Sequence, residues 1–223
     1  GSRNQILDYL MENNKNHDYW YKKFFSNKVL LRQLIKNFVH EDFVYHLDYS
    51  TLKRIDKSFI SERYQKRESD LIYEIKFKGK TAYIYLLIEF QSNVDKFMSL
   101  RMLRYICELY ESLIEQKKLK KLPPIFPLLL YNGDRKWTAA TQIQDIIDGS
   151  MINKRYIPSF QYYGIFENEI DEKTLWEIKN AVSTIFYIEN NGVDAIQNQL
   201  DTLMEMLKKE RPRQIELISR WIT

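Results

Sequence analysis

Between Glu68 and Gln91 the hydrophobic pattern changes character on either side of Lys78-Gly79-Lys80, and this stretch restricts the fold more than any other. On its amino-terminal side Leu71, Tyr73, Ile75 and Phe77 alternate with Glu68, Asp70, Ile72, Glu74 and Lys76. Successive side chains of a strand point to opposite faces, so a period of two marks a strand with one greasy and one mostly polar face. On the other side Tyr83–Phe90 is almost wholly apolar, as expected of a strand buried on both faces. Glycine in the intervening triplet takes a positive φ at little steric cost, so the two strands are expected to fold back as an antiparallel hairpin.

Around the hairpin the spacing is largely helical. Tyr21, Phe24, Phe25, Val29, Leu30 and Leu34 predict an amphipathic helix from His17 to about Phe38, broken near Ser26-Asn27. Thr51–Ser61 reads as a strand of imperfect alternation. Phe97, Leu100, Leu103, Arg104, Cys107, Leu109, Tyr110 and Leu113 predict a helix over Asn93–Lys121, ended by a lysine-rich turn and Pro123-Pro124. Ile125–Tyr131 reads as a buried strand closed by Asn132-Gly133. A short helix near Thr141–Ile147 and a strand at Ser159–Phe166 follow, then helices over Lys173–Glu189, Val193–Lys209 and Pro212–Trp221. This interleaving predicts an α/β fold with a mixed sheet. Residues 3–170 are expected to form the core, with 171–223 a helical extension packed on it.

The hairpin also predicts a place for chemistry. A two-residue Gly79-Lys80 loop with glycine first is a type II′ turn, in which Lys78 pairs with Thr81. Counting back from there sets Asp70 opposite Glu89 and Glu68 opposite Gln91. Directly opposed residues share a face, with Cβ atoms roughly 4.5–5.5 Å apart. Either acid alone would be an ordinary strand-end residue. Opposed to each other they repel, and Glu89 closes an apolar run where an unpaired carboxylate is costly to desolvate. A hard divalent cation, Mg²⁺ or Mn²⁺, relieves both problems. A three-residue loop would break this alignment.

Composition allows such a site to face a polyanion. The net charge of +4 over 223 residues is mild, but cations gather at Lys53, Arg54 and Lys57, at Arg63, Lys66 and Arg67, at Lys76, Lys78 and Lys80, and at Lys117–Lys121. The first three groups flank the acids. The single cysteine, Cys107, leaves no internal disulfide framework and fits a reducing, cytoplasmic setting. No membrane-spanning segment or leader is expected, and Gly1-Ser2 reads as a cloning remnant. No phosphate-binding P-loop, H-E-x-x-H or paired-cysteine zinc signature occurs, and His17, His40 and His46 are too few and too badly spaced for a histidine–metal nuclease.

At the same residues the sequence resembles a known family. Arg67-Glu68-Ser69-Asp70-Leu71-Ile72-Tyr73 and Tyr85-Leu86-Leu87-Ile88-Glu89-Phe90-Gln91-Ser92 resemble the recombination-promoting nuclease (Rpn) family, also called YhgA-like transposases. His17-Asp18 with Lys22–Ser26, Leu100–Tyr105, and Pro124–Gly133 with Trp137-Thr138 are similar to further elements of that family, in the same order. The resemblance implies membership of the PD-(D/E)XK superfamily: a restriction-endonuclease-like mixed central sheet flanked by helices, and magnesium-dependent DNA cleavage. Carried over residue by residue, the acidic site falls on Asp70 and Glu89, with Gln91 where the superfamily pattern usually has lysine. Members often run longer, so a further carboxy-terminal segment is expected.

The expected roles follow from chemistry. Asp70, Glu89 and the Phe90 backbone carbonyl are the candidate metal ligands, and Gln91 would orient water or bond a phosphate oxygen. Asp18, Glu68 and His17 are accessory candidates, and Arg67, Arg101 and Tyr105 are candidate DNA contacts. Double-stranded DNA is the expected partner, with a homodimer for cutting both strands, in recombination or phage defence. The alternative is a catalytically weak DNA-binding or protein-interaction module on the same fold; RNA as substrate is a further one.

Overall fold

The structure, a computed structural model, describes residues 17–56, 70–90 and 93–223. Its elements are α1 (17–25), α2 (Lys28–Phe38), β1 (Leu47–Arg54), β2 (Asp70–Phe77), β3 (Lys80–Glu89), α3 (Met98–Gln116), β4 (Ile125–Tyr131) and β5 (Tyr163–Phe166). They continue as α4 (Glu172–Ile178), α5 (Ala181–Asn191), α6 (Val193–Asn198), α7 (Leu200–Leu207) and α8 (Pro212–Ile222). The five strands form one mixed sheet in sequence order, antiparallel from β1 to β3 and parallel between β3 and β4. This is the mixed α/β class expected of a restriction-endonuclease-like chain. Contacts divide the chain into two units, His46–Ile165 in one and the chain up to Tyr45 with Phe166–Thr223 in the other.

The sheet unit is organised by the β2–β3 hairpin, and its register differs from the expected one. Phe77 pairs with Lys80, so the loop is Lys78-Gly79 rather than Gly79-Lys80. Both loop residues have positive φ, +49° and +78°, which makes a type I′ turn. That turn matches the right-handed twist of the strands and places glycine second, where Lys78-Gly79 offers it. Asp70 consequently faces Leu87 and not Glu89. The shift is two positions in the paired sum, so parity survives and Asp70, Leu87 and Glu89 still point to one face.

The other strands are fixed by packing and by local breaks. β1 begins before the expected Thr51, and four of its residues between Asp48 and Lys53 stand against one of β2. At this bulge the Thr51 hydroxyl accepts the Lys76 N–H at 2.9 Å, replacing a ladder bond. β4 is buried from Pro127 to Tyr131, as its apolar run requires. The expected helix near Thr141–Ile147 is a single 3₁₀ turn, Ile143–Ile146, and β5 is shorter than expected.

α3 lies against the sheet face that carries Asp70 and Glu89, and it is clipped there at both ends. Near its start Arg101 pairs with Glu89 at 2.8 Å. Just past its end Lys117 reaches the Tyr83 hydroxyl at 3.0 Å and Glu74 at 3.8 Å. Between them the Tyr105 and Tyr85 rings lie 6.1 Å apart.

The helical unit centres on α5, which is buried on every face from Ala181 to Ile188. Its first N–H groups are satisfied by side chains: Asn180 caps Ser183, Glu210 accepts from Ala181 at 2.9 Å, and Gln33 accepts from Val182 at 3.2 Å. Lys179 takes a left-handed conformation just before this capping box, so the single helix expected over Lys173–Glu189 is two. The expected break at Ser26-Asn27 is present, with Asn27 accepting from Val29 and Leu30 as the cap of α2.

Candidate active site

Asp70 opens β2 and Glu89 closes β3, so two adjacent antiparallel strands bring their acids to the same end of the sheet. Both are only 8 % exposed. At that burial a bare carboxylate is strongly disfavoured, and each acid has a built-in donor. The Tyr85 hydroxyl donates to Asp70 Oδ2. Tyr85 lies two residues before Leu87, the partner of Asp70, so the same strand parity that aligns the acids aims this phenol at them. Arg101 donates to Glu89 Oε2 and, through Nε, to the Tyr105 hydroxyl at 2.6 Å, while Nη1 lies 3.5 Å from Asp95. Burial works against the guanidinium charge, and Glu89 and Tyr105 more than offset it, so Arg101 is held ionised with a raised pKa.

The neighbouring strand end completes the wall. The Asn132 N–H donates to the Glu89 carbonyl at 2.9 Å, continuing the β3–β4 ladder by one bond. Tyr131, aligned with Glu89, packs its ring 4.8 Å from Trp137 and donates to the Arg135 carbonyl. The Trp137 indole N–H donates to the Tyr162 hydroxyl at 3.0 Å. Gly133 is needed here, because a Cβ at that position would collide with the Tyr131 ring. Burial pushes Tyr162 up to about 12, so it stays a neutral phenol.

The sequence-derived candidates separate accordingly. Asp70, Glu89, Arg101 and Tyr105 come together, with Arg101 turned to Glu89 and Tyr105 to Arg101. Phe90, half-buried, directly follows β3. Glu68, Arg67 and Gln91 lie outside the described residues. His17 and Asp18 belong to the helical unit, where His17 Nδ1 lies 3.0 Å from Glu189. Tyr85 was not among the candidates; its shared parity with Glu89 is the signal that could have found it.

The donor set suits a hard divalent cation, being two carboxylates on one face at a strand end. Among the described residues no three His, Cys, Asp or Glu side chains converge as a metal-holding group. A cation gripped by Asp70 and Glu89 would therefore complete its shell with backbone oxygen, water or substrate. Glu89 is also already matched by a guanidinium, a rival for the same oxygens.

Comparison with known proteins gives the same direction. The profile of the YhgA-like transposase family matches residues 15–215. Recombination-promoting nuclease RpnD of Escherichia coli O157:H7 is 29% identical over 147 residues, 65% of this chain and 56% of that protein. RpnC of Escherichia coli K12 is 30% identical over 118 residues, 53% of this chain and 39% of that protein. RpnE of the same strain, named an inactive recombination-promoting nuclease-like protein, is 27% identical over 118 residues, with the same coverage of 53% and 39%. The chain thus spans between 39% and 56% of the length of these relatives. No solved structure matches it at a significant level. With the match running over nearly its whole length, this chain belongs to the YhgA-like transposase family, alongside the recombination-promoting nucleases.

Proposed function

We propose that this chain is a metal-dependent DNA endonuclease of low sequence specificity that acts in recombination or phage defence. The observation that carries the reading is the pair Asp70 and Glu89, nearly buried on one face at a strand end, each held by its own donor. A Mg²⁺ or Mn²⁺ ion bound there supplies Lewis-acid polarisation of a phosphodiester and a more acidic water. Asp70, held by the Tyr85 hydroxyl, is fixed in orientation and would offer carboxylate oxygen to the cation. Glu89 is presented on the last residue of β3, next to the Phe90 carbonyl, a further oxygen donor of the same hard type. Lys53 and Arg54, exposed on β1 opposite Glu74 and Tyr73, would offset the repulsion between an acidic site and a phosphate chain, whereas Lys78 and Lys80 sit at the turn, about 23 Å along the strands from the acids they are expected to flank. Gln91, Glu68 and Arg67 keep their proposed parts in this reading. Duplex DNA is the proposed partner, a homodimer the proposed cutting form, and the cytoplasm the proposed setting. Among the described residues no helix is long and apolar enough to cross a membrane.

Supercoiled plasmid with Mg²⁺ or Mn²⁺ tests the reading. Asp70→Ala and Glu89→Ala are each expected to abolish metal-dependent nicking with the circular dichroism spectrum unchanged. Full nicking by both variants would end the assignment. The engagement of Glu89 by Arg101 and the kinship with a protein named inactive favour a second reading, a DNA-binding or interaction module without catalysis. Salt-dependent DNA binding with no cleavage in any divalent metal would select it.

A further inference from the structure

Glu89, proposed as a metal ligand, is already held by a second cation, Arg101. Arg101 places Nη2 2.8 Å from Glu89 Oε2, donates Nε to Tyr105 at 2.6 Å, and sets Nη1 3.5 Å from Asp95. Its guanidinium also lies 5.6 Å from the centre of the Tyr105 ring. A long side chain with this many partners is fixed in place, unlike a surface arginine that samples many rotamers. Its side chain is still 29% exposed, so one edge of the guanidinium fork opens outward. A divalent ion gripping Asp70 and Glu89 would set two positive charges beside a third in a partly buried setting, where repulsion is weakly screened.

We propose that Arg101 is a latch: it holds Glu89 in the metal-free site, is displaced by the divalent cation, and then turns its fork to a backbone phosphate of the nucleic acid. The proposal rests on the reading of Asp70 and Glu89 as a cation-holding pair. The guanidinium geometry that matches a carboxylate matches a phosphate equally well, so the released fork has a natural second acceptor. The latch lowers apparent metal affinity by the fraction of time Glu89 is open. It also makes metal and DNA bind cooperatively, because each favours the unlatched position and the coupling is reciprocal. Tyr105 sets the strength of the latch through its bond to Nε, without adding or removing a charge.

The test is Mn²⁺ binding to the full chain, followed by the electron-paramagnetic signal of free Mn²⁺, with and without a short duplex carrying phosphorothioate linkages. Arg101→Gln is expected to bind Mn²⁺ about tenfold more tightly without DNA, the factor for a carboxylate otherwise closed about nine-tenths of the time. In that variant the duplex should improve Mn²⁺ affinity by a smaller factor than in the wild type, because only direct ligation by phosphate remains. Tyr105→Phe keeps the charge and is expected to tighten Mn²⁺ binding several-fold. Tightening confined to Arg101→Gln would reduce the effect to charge repulsion and overturn the latch. Equal affinity in wild type, Arg101→Gln and Tyr105→Phe, with weak binding in Glu89→Gln, would overturn it while leaving the cation-holding pair in place. Absence of any Mn²⁺ binding that depends on Asp70 or Glu89 would overturn both.

Discussion

Two buried acids in this chain are handled in opposite ways. Glu89, on the sheet unit, is 8 % exposed and meets an arginine. Glu167, in the helical unit, is fully buried, accepts from the Tyr21 hydroxyl at 2.6 Å, and has Glu189 for a charged neighbour. Its second oxygen finds no hydrogen-bond partner among the described residues. Burial first, then the repulsion of Glu189, drives the Glu167 carboxyl well above the usual carboxylate range. Glu189 itself is turned to His17. Glu167 is therefore a neutral acid serving as a packed polar group, whereas Glu89 is met by a guanidinium. Burial of an acid alone does not mark a site; the sign of the charge that meets it does.

The widest separation between the two should appear in activity. Glu89→Gln is expected to lower Mg²⁺-dependent plasmid nicking by at least about a hundredfold, while Glu167→Gln leaves it unchanged. Equal losses would erase the distinction. Stability should then move in opposite directions. At pH 7 Glu89→Gln leaves Arg101 facing a neutral amide and should cost about 1–3 kcal/mol in chemical denaturation.

Glu167→Gln should do the reverse, and its sign depends on pH. A carboxyl whose folded pKa is raised contributes its full stability below the unfolded value of about 4.3 and loses it as pH climbs through the folded value. Glutamine does not titrate. The variant should therefore match the wild type near pH 4 and melt a few degrees above it at pH 8, readable by calorimetry. A melting difference independent of pH would mean that Glu167 is ionised.

The smallest effects concern the two phenols. Tyr85→Phe removes the donor to Asp70 and Tyr21→Phe the donor to Glu167; each should cost about 0.5–1.5 kcal/mol, with Tyr85→Phe the costlier. Denaturant midpoints of the two variants measure the contrast, and the reverse order would count against it.

What the sequence revealed of this arrangement depended on how local each cause is. The hairpin was legible because strand parity is written in every second residue, and the shared face of Asp70 and Glu89 survived because it needs parity alone. The register was not legible, since Lys78-Gly79-Lys80 admits two different two-residue loops, and choosing between them depends on strand twist. The break before α5 was hidden for a similar reason: Lys179 adopts its left-handed conformation without a glycine, and Asn180 reveals itself as a cap only beside Ser183. Arg101 carries a signal in its spacing. It sits between Met98, Met102 and Tyr105 on the buried stripe of α3, and a cation in such a stripe needs an anion on the element it covers. Pairings between distant elements, such as Tyr21 with Glu167, leave no trace in local spacing.

The two clips of α3 carry a mechanical consequence. From Arg101 to Lys117 the helix advances about 24 Å, and from Glu89 to Tyr83 the strand runs about 20 Å, so two rulers with unlike graduations are pinned together at two marks. One residue inserted between those marks would swing the later half of the helix by about 100°. Either the guanidinium or the ammonium could then keep its seat, but not both, and the length of α3 is held as tightly as the identity of the acids it guards.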